Sequence, residues 1–183
     1  ALKEFKTDYV VKGKKIIEYT EIGKDNDATS LANFKKAVET VAFGNPYRVK
    51  GDNNFPAMEP LRLTDQLMAL AQVNANYSRK FENSHSRNWS KFIGKIGENL
   101  AWGYDDPYKG WYEEEKNDYD AKNGRQTGHY TTHMNKDYKY TGMGYNTNPN
   151  FSYFFDYCQV YRSQIDNNDK SYTPAEYLKR VDN

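Results

Sequence analysis

Thr64-Asp65-Gln66-Leu67-Met68-Ala69-Leu70-Ala71-Gln72-Val73-Asn74-Ala75 opens the clearest helix in the chain. Thr64 is a residue type that caps helix N-termini by accepting a backbone N–H. Leu67, Leu70, Ala71 and Ala75 recur at helical spacing, so residues 65–79 present one apolar stripe that must be buried. Upstream, Ser30 is placed to cap a second helix over 31–41, with Leu31, Phe34, Val38 and Val41 on one face. Gly44-Asn45-Pro46 reads as its stop, and a loop rich in Gly, Asp, Asn and Pro follows over 51–60. Downstream, Asp106-Pro107 is an N-cap and first-turn pair for a helix running to about residue 118. The last third changes character. Residues 138–145 and 150–161 are aromatic-rich and flank a Gly/Asn/Pro turn, the pattern of an antiparallel β-pair. Thr173-Pro174-Ala175-Glu176 is a capping box with Pro at the first helical position, which predicts a short terminal helix. Helices first and strands late in one short chain argue an α+β fold.

The N-terminal residues 1–28 are dense in charge. Short β-type runs, Tyr9-Val10-Val11 and Ile16-Ile17-Glu18-Tyr19, flank Lys12-Gly13, a weak hairpin turn. This segment reads as an appendage packed on a main domain over 29–165, with 166–183 as a tail. The composition supports one globular domain. Leu, Ile, Val and Phe fall short of the ~20% that marks ordinary globular chains, but the net charge is only +1, so the disorder signature is incomplete. Seventeen Tyr, nine Phe and three Trp supply the apolar area instead, which predicts an aromatic core.

Near-zero net charge announces neither a nucleic-acid nor a polyacidic partner. No apolar stretch approaches the ~20 residues of a membrane-spanning helix. A single cysteine, Cys158, excludes an internal disulfide framework and Cys-based zinc fingers; it lies in the run Phe154-Phe155-Asp156-Tyr157-Cys158 and reads as core. The chain starts at Ala1 without a Met, as a chain shorn of a signal peptide would. Asn76, Asn88 and Asn150 head N-x-S sequons, although Asn76 falls inside the predicted helix.

The three histidines lie between residues 85 and 133, amid acidic and aromatic segments. Imidazole and carboxylate together can bind a borderline metal or shuttle protons. Spacing alone does not bring these segments together. As isolated residues they read equally well as solvated or structurally hydrogen-bonded groups.

Four motifs stand in order along the chain: His85-Ser86, Gly97-Glu98-Asn99-Leu100-Ala101, Trp111-Tyr112-Glu113-Glu114 and Gly128-His129-Tyr130-Thr131. Together they resemble the CAP superfamily of cysteine-rich secretory, antigen 5 and pathogenesis-related 1 proteins, the SCP-like domains. Pro60-Leu61-Arg62-Leu63-Thr64 with the helix after it resembles the element before the family's first histidine. Gly142-Met143-Gly144-Tyr145 resembles the strand after the second. The cysteine-poor, Asn- and Tyr-rich composition is similar to the bacterial branch.

The resemblance implies a three-layer α-β-α sandwich with a small antiparallel sheet, and an open cleft holding two histidines and two acids. Carried over by position, the histidines are His85 and His129 and the acids are Glu98 and Glu114. On a regular helix Trp111 and Glu114 share a face, which leaves Glu113 and Glu115 solvated. The chain departs from the family at Thr132-His133-Met134-Asn135, where His133 stands in place of an apolar residue. Four residues beyond His129, it is either a third ligand or a side chain that does not ligate, packed or exposed.

Two imidazoles completed by water would make an open Zn²⁺ site. The resemblance implies a secreted or cell-surface binding module for lipid, sterol or protein ligands. The alternative is a metal-assisted, peptidase-like hydrolase with Glu98 and Glu114 as catalytic groups.

Overall fold

The computed structural model describes residues 10–11, 14–81, 84–86, 94–147 and 155–182. Tyr9, the Lys12-Gly13 turn, Asn88, Asn150 and Phe154 lie outside the described residues. In chain order the elements are β1 (Val10–Val11), β2 (Lys14–Lys15), a 3₁₀ turn (Ile16–Tyr19), α1 (Leu31–Lys50), β3 (Arg62–Thr64), α2 (Asp65–Lys80) and β4 (Ile96–Trp102). A π-helical turn (Lys109–Glu114) then leads into α3 (Glu115–Ala121), followed by α4 (Gly128–His133), β5 (Tyr140–Thr147), β6 (Phe155–Arg162), β7 (Ser171–Tyr172) and α5 (Pro174–Asp182). The fold is α+β, as the order of helical and strand patterns predicts.

The main sheet has strand order β4-β6-β5-β3-β7. It is mixed rather than wholly antiparallel, because β3 pairs parallel to β5 while the remaining pairs are antiparallel. Side-chain alternation sorts the core into two layers. Leu100, Cys158 and Val160 face α2 and pack on Leu67, Leu70, Ala71 and Ala75. Met143, Tyr145 and Tyr157 point the other way, onto Ala37, Val38 and Val41 of α1 and onto Tyr108, Trp111, Tyr130 and Met134. The result is the helix–sheet–helix sandwich the motifs imply, with the aromatic residues concentrated in the second layer.

Two glycines allow the first layer to close. A Cβ on Gly142 would sit 2.0 Å from the Leu67 carbonyl oxygen, and one on Gly144 would sit 2.2 Å from that of Ala71. α2 therefore rests on β5 backbone to backbone. Its N-terminus is capped as expected, with Thr64 Oγ1 accepting from the Leu67 N–H at 3.1 Å. The terminal capping box also forms, Glu176 N–H to Thr173 Oγ1 at 3.2 Å and Thr173 N–H to Glu176 Oε2 at 2.7 Å.

α1 runs through Gly44 and Pro46 to Lys50, past the stop read from the sequence. Tertiary contacts override the local breakers. The Asn45 side chain clamps both backbone groups of Leu61, at 2.9 and 3.1 Å. Arg48, 1% exposed, sends its guanidinium to the carbonyls of Glu59, His133, Asn135 and Tyr138. Tyr108 fills the space a Cβ at Gly44 would need. The second β-type run is likewise not a strand: Ile16–Tyr19 forms the 3₁₀ turn, and β1 pairs with Lys14–Lys15 instead. Ile17 and Tyr19 pack against Val73 and Tyr77 of α2, a satellite of the core. Asn76 is buried in α2 with its amide committed to the Ala28 N–H and Thr20 Oγ1, so it offers no glycan acceptor.

Candidate metal and ligand cleft

β4 is an edge strand, and its alternation distributes the site to both faces of the sheet. Glu98 points to the α2 side; its carboxylate, 2% exposed, meets His85 Nδ1 at 2.6 Å through Oε1. Oε2 accepts from Asn74 Nδ2 of α2 at 2.7 Å and from the Cys158 thiol at 3.3 Å. Ser86, next to His85, donates to Asn74 Oδ1 at 2.8 Å. A hydrogen-bonded chain therefore links the loop after α2 to the edge strand. Burial and then the neighbouring Glu98 carboxylate raise the Cys158 thiol well above its usual range, so it stays protonated and acts as a donor.

Asn99, the next residue along, faces the opposite layer. Its Nδ2 reaches the His129 backbone oxygen at 3.0 Å and the Tyr161 hydroxyl at 3.2 Å. His129 stands at the start of α4 and is one-third exposed. Its ring lies nearly parallel to that of Trp111, 22° apart with centroids 6.3 Å apart. Trp111 is itself pinned by its indole N–H to the Leu100 carbonyl at 2.8 Å. His129 Nδ1 hydrogen-bonds Glu115 Oε1, and Glu115 Oε2 accepts the Tyr130 N–H at 3.0 Å.

The carboxylate at His129 is thus Glu115, not Glu114 as regular helical spacing suggests. The reason is the π-helical turn. Residues four apart neighbour each other on a regular helix as residues three apart do, but here the Glu115 N–H reaches back five residues to the Gly110 carbonyl, and the wider winding carries Glu114 off the Trp111 face while Glu115 stays on it. Glu114 turns away and accepts from the Tyr104 hydroxyl at 3.2 Å; Glu113 accepts from Tyr47 at 3.1 Å. Burial, then Glu113, pushes Tyr47 up to about 12. π-turns recur at functional sites, and here one delivers the second acid.

His85, Glu98, Asn99, Gln126, Thr127, Gly128, His129 and Thr132 line one open cleft of about 350 Å³. Both imidazoles and the first acid therefore border the same cleft, approaching the edge strand from opposite layers. His133 does not join them. It is fully buried, with Nε2 at 3.0 Å from the Gly44 carbonyl and Nδ1 at 3.1 Å from the Tyr161 hydroxyl. Burial pushes its pKa down to about 3 against the pull of the Gly44 hydrogen bond. Of the two readings open at His133, the packed side chain is what the fold contains.

Among the described residues no three His, Cys, Asp or Glu side chains gather so that they could hold a metal ion. Instead each imidazole is held at Nδ1 by a carboxylate, a contact that fixes the ring's tautomer and orientation. Such rings would coordinate through Nε2 and leave the rest of the shell to water.

The profile of the cysteine-rich secretory protein family, CAP, matches residues 45–161. The chain belongs to this family. The matched span runs from the end of α1 through β6 and includes both histidine–glutamate pairs of this CAP chain. Among solved structures, venom allergen-like protein 4 of Schistosoma mansoni is similar, with a TM-score of 0.52 and 19% identity over 71% of this chain and 90% of that one. At that identity the likeness is one of fold. No curated protein sequence matches the chain.

The CAP motifs led to His85, Glu98 and His129 but not to Glu115, Asn74 or Cys158. Asn74 carried a signal nonetheless, since it is a polar residue four after Leu70 on the buried stripe of α2. Nothing in the local sequence marks a π-turn.

Proposed function

We propose that this CAP domain is a secreted or cell-surface binding module whose cleft takes a divalent metal, zinc by its donor chemistry, through His85 and His129. The observation that supports it is that both imidazoles line one small cleft, each hydrogen-bonded at Nδ1 to a glutamate. Zinc bound by two imidazoles and water would polarise an oxygen of a ligand entering the cleft. Glu98 and Glu115 orient the rings. Glu98 is nearly inaccessible and already accepts from an imidazole, an amide and a thiol, so it is badly placed to collect a further proton as a general base. This weighs against the hydrolase alternative. The polar cleft wall, Asn99, Gln126, Thr127 and Thr132, suits a polar headgroup or peptide.

A second feature supports binding over catalysis. Phe43 and Val49 are exposed on α1, and Ala42, Pro46 and Val49 line an open apolar groove of about 520 Å³ beside the start of α5. Apolar surface of this kind suits a lipid, sterol or protein ligand. No helix among the described residues is long and apolar enough to cross a membrane.

The test is a calorimetric zinc titration at neutral and acidic pH, on the wild type and on His85→Ala/His129→Ala. The proposal expects close to one ion per chain, lost in the double variant and on acidification, because protonated imidazole does not ligate. A wild type that takes up no zinc overturns it.

A further inference from the structure

His133 is the histidine that the cleft leaves out and the family pattern does not explain. α4, which carries both His129 and His133, has six residues and no side-chain cap at Thr127. A helix so short does not hold itself together. Its position comes from what grips it: Tyr130, fully buried with its hydroxyl on Asp52 and Asn54, and, one turn on, His133. The Gly44 carbonyl can only accept, so His133 Nε2 carries the proton; Nδ1 lies 3.1 Å from the Tyr161 hydroxyl, whose single proton also faces Gln159 Oε1 at 2.7 Å. Arg48 of α1 closes the same end of the helix by donating to the carbonyls of His133 and Asn135, meeting the C-terminal groups that α4 leaves unbonded. The Tyr161 hydroxyl also accepts from Asn99, whose amide holds the His129 backbone oxygen. One hydroxyl therefore connects the buried histidine to the backbone of the one in the cleft.

We propose that His133 is a positioning residue for His129: it sets the rotation of α4 so that the His129 ring meets Glu115 and faces the cleft. An apolar side chain would fill the same volume without choosing a register. Histidine chooses one, because a slip of one residue turns the helix by ~100° and leaves two buried ring nitrogens without partners. Burial together with the nearby Arg48 cation keeps the ring neutral, so the arrangement holds across the physiological pH range. The proposal rests on the reading of His129 as a cleft ligand.

Three variants of the full chain test it: His133→Leu, His133→Gln and Tyr161→Phe. The readouts are thermal unfolding, the ¹H–¹⁵N signals of the His129 ring, and zinc titration. In the wild type the His129 Nδ1–H held by Glu115 is expected to give a downfield, exchange-protected signal. His133→Leu is expected to lose that signal while the His85 ring is unchanged, and to weaken zinc by ~10-fold or more, the scale of second-shell losses. His133→Gln, which keeps a donor and an acceptor, is expected to restore both. Tyr161→Phe keeps the ring volume and is expected to behave like His133→Leu, so a leucine variant that fails to fold does not end the test. A folded His133→Leu or Tyr161→Phe with the wild-type His129 signal overturns the proposal. If the wild type takes up no zinc, the metal reading fails, and the ring signal alone decides the positioning role.

Discussion

Gly142→Ala tests how α2 meets the sheet. A Cβ at this position would lie 2.0 Å from the Leu67 carbonyl oxygen, 2.1 Å from its carbon and 2.5 Å from the Met68 nitrogen. All three are backbone atoms of α2, so no rotamer change relieves the contact. Ordinary contact begins near 3.4 Å, which requires helix and strand to part by more than 1 Å along a packed interface. Overpacking of a core costs ~1–3 kcal/mol and occasionally more. A backbone clash belongs at the top of that range. Alanine also restricts the unfolded chain, a gain of only ~0.4–1 kcal/mol, so the steric loss wins. The net loss is ~2–2.6 kcal/mol; at ~2–4 °C per kcal/mol for a chain of this size, the melting temperature is expected to fall by roughly 4–10 °C. The assay is scanning calorimetry beside a control, Gly128→Ala, where nothing lies within 4 Å of the added Cβ and the melt is expected to hold or rise slightly. A Gly142→Ala melt within about 1 °C of wild type would refute the backbone-to-backbone packing of α2 on β5.

Asp156, 4% exposed on the α2 face of β6, has its carboxyl pushed up to about 7 by burial, against a partial pull down from Arg79. The folded chain then binds its proton more tightly than the unfolded chain, whose value is near 3.8. Stability contributed here is present below that value, falls as pH rises between about 4 and 7, and stays lost above. Asp156→Asn is expected to flatten this slope and to exceed wild type at pH 8 by on the order of a few kcal/mol in urea unfolding. Identical slopes in variant and wild type would count against a buried neutral acid. At the cleft, Glu115→Gln is expected to weaken zinc by ~10-fold or more, whereas Glu114→Gln, whose carboxylate accepts from Tyr104 instead, is expected to leave it within about twofold. Equal losses in the two would contradict the role given to the π-turn.

Much of the fold was legible because it depends on local chemistry. Thr64 and the Thr173–Glu176 box read correctly since a cap is decided within four residues. The stripe Leu67, Leu70, Ala71 and Ala75 read correctly since its period survives in the packed state. Failures came where distant atoms decide. Pro46 looks like a stop until Arg48 and Asn45 are seen gripping other segments. Gly97-Glu98-Asn99 has little intrinsic strand preference, and its place in β4 comes from pairing with residues sixty positions away. The cleft was legible only through the ordered motifs, since spacing could not bring His85 to His129. Glu115 escaped because a one-residue widening of a turn leaves no trace in composition. His133 was visible as an oddity, but its side of α4 is decided by Gly44 and Tyr161.

The most direct test of the central claim is a crystal of the full chain soaked in zinc and measured at the zinc absorption edge. The account predicts one anomalous peak in the cleft, within about 2.0–2.1 Å of Nε2 of both His85 and His129. Those rings should still be held at Nδ1 by Glu98 and Glu115. An empty cleft, or a peak bound by one histidine and a neighbouring molecule, would contradict it.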